Sequence, residues 1–231
     1  GMDNSSPALN FAIGNLLGMS ELDVNTVELL PGASSALYGA NAFNGIMFMT
    51  SKSPFDDQGI SVSLKSGLTR QDAAGDNQFH DFNIRMAYVF SNKFAAKATL
   101  SHLKGTEWFA TDYRNTANGD FISGDRNSDR NYDGLNVYGD EVSTNMRGVA
   151  ETLEGLGVIP GGAAALIPSE NISRKGYDER DLMTYEAKSV KFGASLNYRP
   201  FGDDRFEVIW NSKVGVGNTI YQGTNRYNIN K

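Results

Sequence analysis

The sequence predicts a mainly β fold, a partial antiparallel transmembrane β-barrel that carries one long, partly helical extracellular loop. Three observations support this prediction. Five segments alternate apolar and polar residues over about nine to eleven positions, the length that a tilted strand needs to cross a bilayer. The connections between these segments alternate between short and long, as they do in outer-membrane barrels. Aromatic residues make up 11% of the chain, which favours strands.

The five alternating segments follow one another along the chain. They are residues 60–64, 82–90, 94–100, 190–198 and 206–214. In each of them one face is apolar while the other carries charged, hydroxyl or amide groups. We expect the outermost segments, around 59–68 and 206–216, to leave open strand edges, which invite pairing with another chain.

The lengths of the connections give the strands a direction. Three residues separate 90 from 94 and a short turn follows 198, whereas 69–80 and 104–188 are long. If the first strand runs outward from Pro54, the long connections lie outside the cell and the tight turns lie inside. Aromatic residues near the tight turns would then form a girdle at the inner rim: Tyr88, Phe90, Phe94, Tyr198, Phe201 and Phe206. Within the longest connection, residues 145–156 predict a short helix capped by Ser143 or Thr144.

Composition excludes several functional classes. The 231 residues carry a net charge of −6, from 27 acidic and 21 basic residues, which argues against nucleic-acid binding. There is no cysteine, which excludes disulfides, thiol nucleophiles and cysteine-ligated metals. With only His80 and His102, a site of several histidines is impossible. The longest apolar runs, such as 45–49, are far shorter than the roughly 20 residues of a spanning helix.

The first 53 residues differ from the rest in their sequence pattern. Residues 23–30 predict a short strand, 33–36 a helical turn, and 46–50 a buried strand. Residues 27–39 read Val-Glu-Leu-Leu-Pro-Gly-Ala-Ser-Ser-Ala-Leu-Tyr-Gly, followed by Ala-Phe-Asn-Gly-Ile at 42–46 and Thr-Ser-Lys at 50–52. Over residues 21–53 this pattern resembles the end of the plug domain of TonB-dependent outer-membrane receptors, in the form found in Bacteroidetes. The residues that match the plug motif are Pro31, Gly32, Ser35, Ala36, Leu37, Tyr38, Gly39, Asn44 and Gly45.

The resemblance implies a division of the chain and a function. Residues 1–53 would be the C-terminal part of the plug, and 54–231 the first barrel strands with the long loop at 104–188. Such receptors bind a scarce nutrient at the outer membrane of Gram-negative cells and import it with energy from a TonB-type transducer. A plugged barrel of this kind has about 22 strands, so this chain would not transport alone.

The resemblance and the composition also imply partners. The expected ones are outer-membrane lipid, the transducer acting through the full-length receptor, and a surface lipoprotein, but no nucleic acid. With its strand edges open, the isolated chain is expected to associate with itself. Two other functional classes stay open: a stand-alone β-rich binding or adhesion module that uses the long loop, and a carbohydrate-active enzyme.

One segment of the long loop has the spacing of a calcium loop. Residues 129–134 read Asp-Arg-Asn-Tyr-Asp-Gly, with oxygen-bearing side chains at alternate positions and a glycine for the sharp turn. Counting twelve positions places Asp140 where a glutamate is usual. No cofactor is otherwise expected; Ca²⁺ is the one candidate, with Asp129, Asn131, Asp133 and Asp140 as its candidate ligands. The alternative is a series of turns made by Asn and Asp in an exposed loop.

The same loop contains clustered aromatic residues. Trp108, Tyr113 and Tyr132 are the candidate ligand-binding residues, because aromatic rings stack on sugars or pack against peptides. The alternative is that they hold the loop together. Acidic pairs such as Asp203 and Asp204 are expected to be solvated loop charges. The sequence contains no nucleophile–histidine–acid order and no phosphate-binding loop, and we expect no enzymatic activity.

Overall fold

The computed structural model describes residues 18–32, 45–117, 119–224 and 227–230. The fold is mainly β with antiparallel sheets, as predicted. Its largest unit is a five-stranded sheet of β3 (Gly59–Gln71), β4 (Gly75–Ser91), β5 (Phe94–Thr106), β10 (Glu186–Tyr198) and β11 (Val208–Asn218). The strands lie in the order β3-β4-β5-β10-β11, and every neighbouring pair is antiparallel.

Four of the predicted segments lie wholly within one strand each, and the fifth, 206–214, begins two residues before β11. The strands are longer than the segments, because polar residues continue the pairing beyond the apolar stretches. Within the described ranges the sheet does not close, so β3 and β11 form its two edges.

The predicted long connection at 69–80 is wrong. Only residues 72–74 separate β3 from β4, and the residues on either side remain paired in register. The ion pair between Arg70 and Asp76, with 3.3 Å between Nε and Oδ2, lies across the end of this hairpin. These residues are polar and therefore read as a loop, but backbone hydrogen bonding across an antiparallel pair does not require apolar side chains.

The connection between β5 and β10 has its own secondary structure. It contains β6 (Val137–Tyr138), β7 (Ser143–Asn145), α1 (Met146–Gly155), β8 (Asn171–Ser173), β9 (Tyr177–Asp178) and α2 (Glu179–Leu182). β6 pairs with β9, and β7 pairs with β8. None of the helices in the described ranges is long and apolar enough to span a membrane.

The predicted helix in this connection is confirmed, but its cap differs. Asn145 precedes α1, and its Oδ1 accepts the backbone N–H of Gly148 at 3.2 Å. Ser143 and Thr144 lie in β7 instead, where they pair with β8. The strand pairing of β7 thus runs up to the cap residue, and Asn caps a helix as well as Ser does.

The N-terminal segment forms a hairpin beside the large sheet. A short 3₁₀ turn at Glu21–Asp23 leads into β1 (Val24–Pro31), which pairs antiparallel with β2 (Gly45–Ser51). The predicted helical turn at 33–36 lies outside the described residues. Near the C-terminus, β12 (Ile220–Thr224) pairs with β13 (Tyr227–Asn230).

Candidate functional site

The two faces of the five-stranded sheet have reversed burial. On one face the side chains are apolar and exposed: Ile60 is 71% exposed and Leu64 is 73% exposed. On the other face the side chains of the three central strands, β4, β5 and β10, are mostly polar and buried, and Arg85 is only 1% exposed. The polar side chains of the edge strands β3 and β11 are half-buried or exposed. The buried polar side chains of this face include Asn83, Arg85, Lys97, Ser101, Ser189, Lys191, Ser195 and Asn197.

The apolar face is continuous from one edge strand to the other. Register places five apolar side chains in one row across all five strands: Val62, Ile84, Leu100, Phe192 and Val214. Along β4 and β10, the apolar positions cover residues 82–90 and 190–198. Nine residues, at about 3.3 Å each and with a strand tilt of about 40°, span roughly 23 Å. That height matches the apolar band of outer-membrane barrels, which is about 25 Å.

Aromatic side chains lie together at the end of the sheet that carries the β4–β5 and β10–β11 turns. The six predicted girdle residues are all exposed. Phe90 lies beside Phe94 across the β4–β5 turn, with 5.5 Å between ring centroids, and edge-on to Tyr88 at 5.0 Å. Large aromatic rings are therefore available at one rim of the apolar band.

The polar face holds the N-terminal segment through a buried charge cluster. Asp23, which ends the 3₁₀ turn, accepts from Lys97 Nζ at 2.8 Å and from Arg85 Nε at 2.9 Å. Lys97 also donates to the carbonyl of Lys52 at 2.6 Å, and Arg85 to that of Asp57 at 3.0 Å. Because all three residues of the cluster are at most 8% exposed, the segment is held on the sheet by charge pairs shielded from water.

Sequence reasoning did not find this cluster, although a signal was present. Arg85 and Lys97 are cations in the polar phase of neighbouring strands, and Lys97 pairs in register with Ala87, two residues from Arg85. Two adjacent buried cations require an anion, since an unpaired buried charge is costly. Which carboxylate supplies it depends on a contact across 62 residues of sequence.

A cavity lies between the N-terminal segment and the sheet, next to the charge cluster. Its volume is about 150 Å³, and its walls include Gly18, Ser20, Lys97, Lys191 and Lys213. Lysine side chains from β5, β10 and β11 therefore line one space, where they create a positive potential.

A second cavity lies at the end of the sheet where β5 leads into the long connection. Its volume is about 380 Å³, and Trp108 at its margin is 64% exposed. The other walls include Glu107, Asp112, Asn136 and Glu179. An exposed indole beside carboxylates offers both a stacking surface and hydrogen-bond acceptors to a ligand.

The two other predicted ligand-binding residues form internal contacts. Tyr113 donates its hydroxyl hydrogen bond to Asp178 at 3.0 Å, and Tyr132 donates to the carbonyl of Tyr113 at 2.6 Å. Burial, followed by the hydrogen bond to Asp178, raises the pKa of Tyr113 to about 12. Burial also raises the pKa of Tyr185, whose hydroxyl donates to Glu179. Of the three candidates, Trp108 presents its ring most openly.

Of the predicted calcium ligands, Asp133 and Asp140 are buried, whereas Asp129 and Asn131 are half-buried. Asp129 accepts the backbone N–H of Asn131 at 2.8 Å and the side-chain amide of Asn115 at 2.7 Å. Asp140 is fully buried, and its Oδ2 accepts the N–H of Gly134 at 2.8 Å. Across the described residues, no three histidine, aspartate or glutamate side chains are grouped closely enough to hold a metal ion.

The plug-like motif is described only at its two ends. Pro31 pairs with Gly45 at the end of the β1–β2 hairpin, and Gly32 follows with a φ of +92°. Gly45 has a φ of +137°, and an added Cβ would come within 2.8 Å of the carbonyl oxygen of Leu30, so this position requires glycine. The remaining motif positions lie outside the described residues: Ser35, Ala36, Leu37, Tyr38, Gly39 and Asn44.

Comparison with known proteins identifies no relative. No protein-family model matches the chain, and searches of curated proteins and of solved structures found no similar protein.

Proposed function

We propose that this chain is part of a TonB-dependent receptor for nutrient uptake in the outer membrane of a Gram-negative cell. Residues 1–53 are the end of the plug, and 54–231 are the first barrel strands with one large extracellular loop. The observation that carries the proposal is the reversed burial of the two faces of the five-stranded sheet.

Reversed burial has a direct physical consequence. In water, an antiparallel sheet buries its apolar face and exposes its polar face. Here the charged and amide side chains of the three central strands are buried, whereas an apolar band roughly 23 Å tall is exposed. A lipid bilayer covers such a band, and a plug covers such a polar face. The alternation of apolar-out and polar-in side chains is that of barrel strands in the outer membrane.

The charge cluster around Asp23 supports the plug assignment. The segment that resembles a plug contacts the polar face, the side that faces the lumen of a barrel. Its contacts are charge pairs from Asp23 to Arg85 and Lys97. Ion pairs between a plug and the barrel wall fix the plug while keeping its surface polar enough for a water-filled lumen.

The long loop supplies the ligand contact in this proposal. It leaves the sheet at the end opposite the β4–β5 and β10–β11 turns, which is the extracellular end when β3 starts at the periplasmic rim. The short β3–β4 turn at 72–74 lies at the same end as the loop. Trp108 is its exposed aromatic residue at a cavity margin. Since the chain has two tryptophans, a Trp210→Phe background leaves Trp108 as the only reporter. Titration with oligosaccharides and short peptides should change its emission. A ligand that binds the receptor but leaves this emission unchanged refutes the role of Trp108.

Membrane partitioning tests the main proposal. We expect the chain to float with phospholipid vesicles in a density gradient, and to require detergent or to form oligomers in aqueous buffer. Light scattering coupled to size exclusion measures the second property. A monodisperse monomer of about 25 kDa without detergent, which stays behind when vesicles float, would overturn the proposal. That result favours a stand-alone β-rich binding module.

A further inference from the structure

Two oxygen atoms in segment 129–140 are buried without a hydrogen-bond partner. One is Oδ1 of Asp140, and the other is Oδ1 of Asn131. The Asp140 side chain is 0% exposed, so water does not reach the atom that lacks a partner. Leaving a buried acceptor unsatisfied costs about 1–3 kcal/mol, and more when the group is charged. An aspartate at position 140 therefore destabilises the fold unless another group binds its Oδ1 atom.

Electrostatics at Asp140 are equally unfavourable. Its Oδ2 accepts the N–H of Gly134 at 2.8 Å, which places the carboxylate against the turn that follows Asp133. The negative charges of Asp133 and Glu141 lie close enough to act on this carboxylate. Two carboxylates close together in a buried turn are stabilised by a cation between them.

The spacing of these groups identifies the class of cation. Asn131, Asp133 and Asp140 stand at positions three, five and twelve of a calcium-loop pattern, and Gly134 stands at the sixth position. We propose that segment 129–140 binds Ca²⁺ through the side-chain oxygens of Asn131, Asp133 and Asp140. Backbone carbonyls and water complete the six to eight oxygens that Ca²⁺ takes. This ligand set contains two carboxylates and one amide, so it differs from a cluster of three acids.

Asp129 has a different role in this site. Both of its carboxylate oxygens are engaged, one by the N–H of Asn131 and the other by the side chain of Asn115. Asp129 is thus a positioning residue, which holds the backbone at Asn131. The sequence pattern predicts Asp129 as a ligand, because spacing does not reveal which hydrogen bonds a carboxylate already accepts.

Calcium at this site would stabilise contacts between parts of the loop that are distant in sequence. Ser173 of β8 donates its hydroxyl to the carbonyl of Tyr132 at 2.5 Å and its backbone N–H to that of Arg130 at 3.0 Å. Thr116 donates its backbone N–H to the carbonyl of Asp133 at 2.7 Å. Because these contacts tie segment 129–140 to the rest of the loop, Ca²⁺ should raise the unfolding temperature of the whole loop.

Terbium luminescence and calorimetry test the proposal on the full chain in non-ionic detergent. Tb³⁺ replaces Ca²⁺, and Tyr132 and Tyr138 lie within the segment, where they can sensitise its emission. We expect saturable emission that CaCl₂ displaces, and a calcium Kd between about 10⁻⁵ and 10⁻³ M. Asp140→Asn should weaken binding at least tenfold. The control is Asp120→Asn, which removes the same charge from an exposed position of the same loop and should leave the Kd unchanged.

Two outcomes would overturn the proposal. The first is the absence of Tb³⁺ emission in calcium-free buffer together with the absence of binding heat on titration with CaCl₂ up to 10 mM. Both measurements use the unmodified chain, so neither requires a variant to fold. The second is an equal Kd for the unmodified chain and Asp140→Asn. Flotation of the same samples with vesicles reports on the receptor proposal separately, so failure of one does not entail failure of the other.

Discussion

Lipid exposure of the apolar face can be tested with two adjacent substitutions on β3. Val62 is 58% exposed and lies in the apolar row, whereas Ser63 points to the polar face and pairs with Asn83. Val62→Lys and Ser63→Lys introduce the same charge at nearly the same depth of the membrane. They differ in the face that carries it.

The expected magnitude follows from depth. A lysine facing lipid costs about 2–4 kcal/mol at the bilayer midplane and about 0–1 kcal/mol near the interfaces. The apolar band of β4 is centred on Met86, which pairs with Ile60, so Val62 lies two residues, or roughly 5 Å, from the midplane. We therefore expect Val62→Lys to cost about 2 kcal/mol, a change of roughly 30-fold in the equilibrium. Ser63→Lys should cost less than about 0.5 kcal/mol, since Asp81 lies nearby on the polar face.

The assay is unfolding by urea from phospholipid vesicles. Emission from Trp210, which is 57% exposed on the apolar side, reports the loss of lipid contact, and flotation reports the bound fraction. A lower free energy of unfolding for Val62→Lys alone supports the reasoning. Equal losses for both variants indicate a two-sided soluble core, and no loss for Val62→Lys refutes lipid contact at this face.

Three further expectations concern the plug-like segment and the loop. Asp23→Ala leaves Lys97 buried without its anion and leaves Arg85 with only the more exposed Asp57, 3.6 Å away. The free energy of unfolding in detergent micelles should therefore fall by about 3–5 kcal/mol, and a loss below about 1 kcal/mol contradicts the buried cluster. Folding raises the pKa of Tyr113 to about 12. The neutral Tyr113 hydroxyl therefore contributes its full stabilisation below about pH 10, and this stabilisation is lost as the pH rises to about 12. Tyr113→Phe should remove that part of the alkaline transition, as measured by tyrosinate absorbance and near-ultraviolet circular dichroism. Asn145→Ala removes the cap of α1 and should cost about 1 kcal/mol, measured as faster hydrogen exchange of the helix amides; unchanged exchange contradicts the capping role.

The sequence by itself determined the strands and their faces. Alternation of apolar and polar residues is a local property with a period of two, so the segments around Ile84 and Phe192 could be read without knowledge of their neighbours. The short connection after Phe90 also fixed an antiparallel pair, because three residues permit only a hairpin. Helix α1 was also readable from the local sequence, although its cap, Asn145, was predicted one or two residues too early, at Thr144 or Ser143.

Only the tertiary structure decided how the polar groups are paired. The partner of Arg85 is Asp23, which is distant in sequence, and no periodicity links the two. Tyr113 and Tyr132 looked like exposed ligand contacts, but hydrogen bonds across the loop hold both hydroxyls inside. The unpartnered Oδ1 of Asp140 emerges only when every hydrogen bond around it is known. Alternation sets which face a side chain points to, whereas the identity of its partner depends on how the chain returns in space.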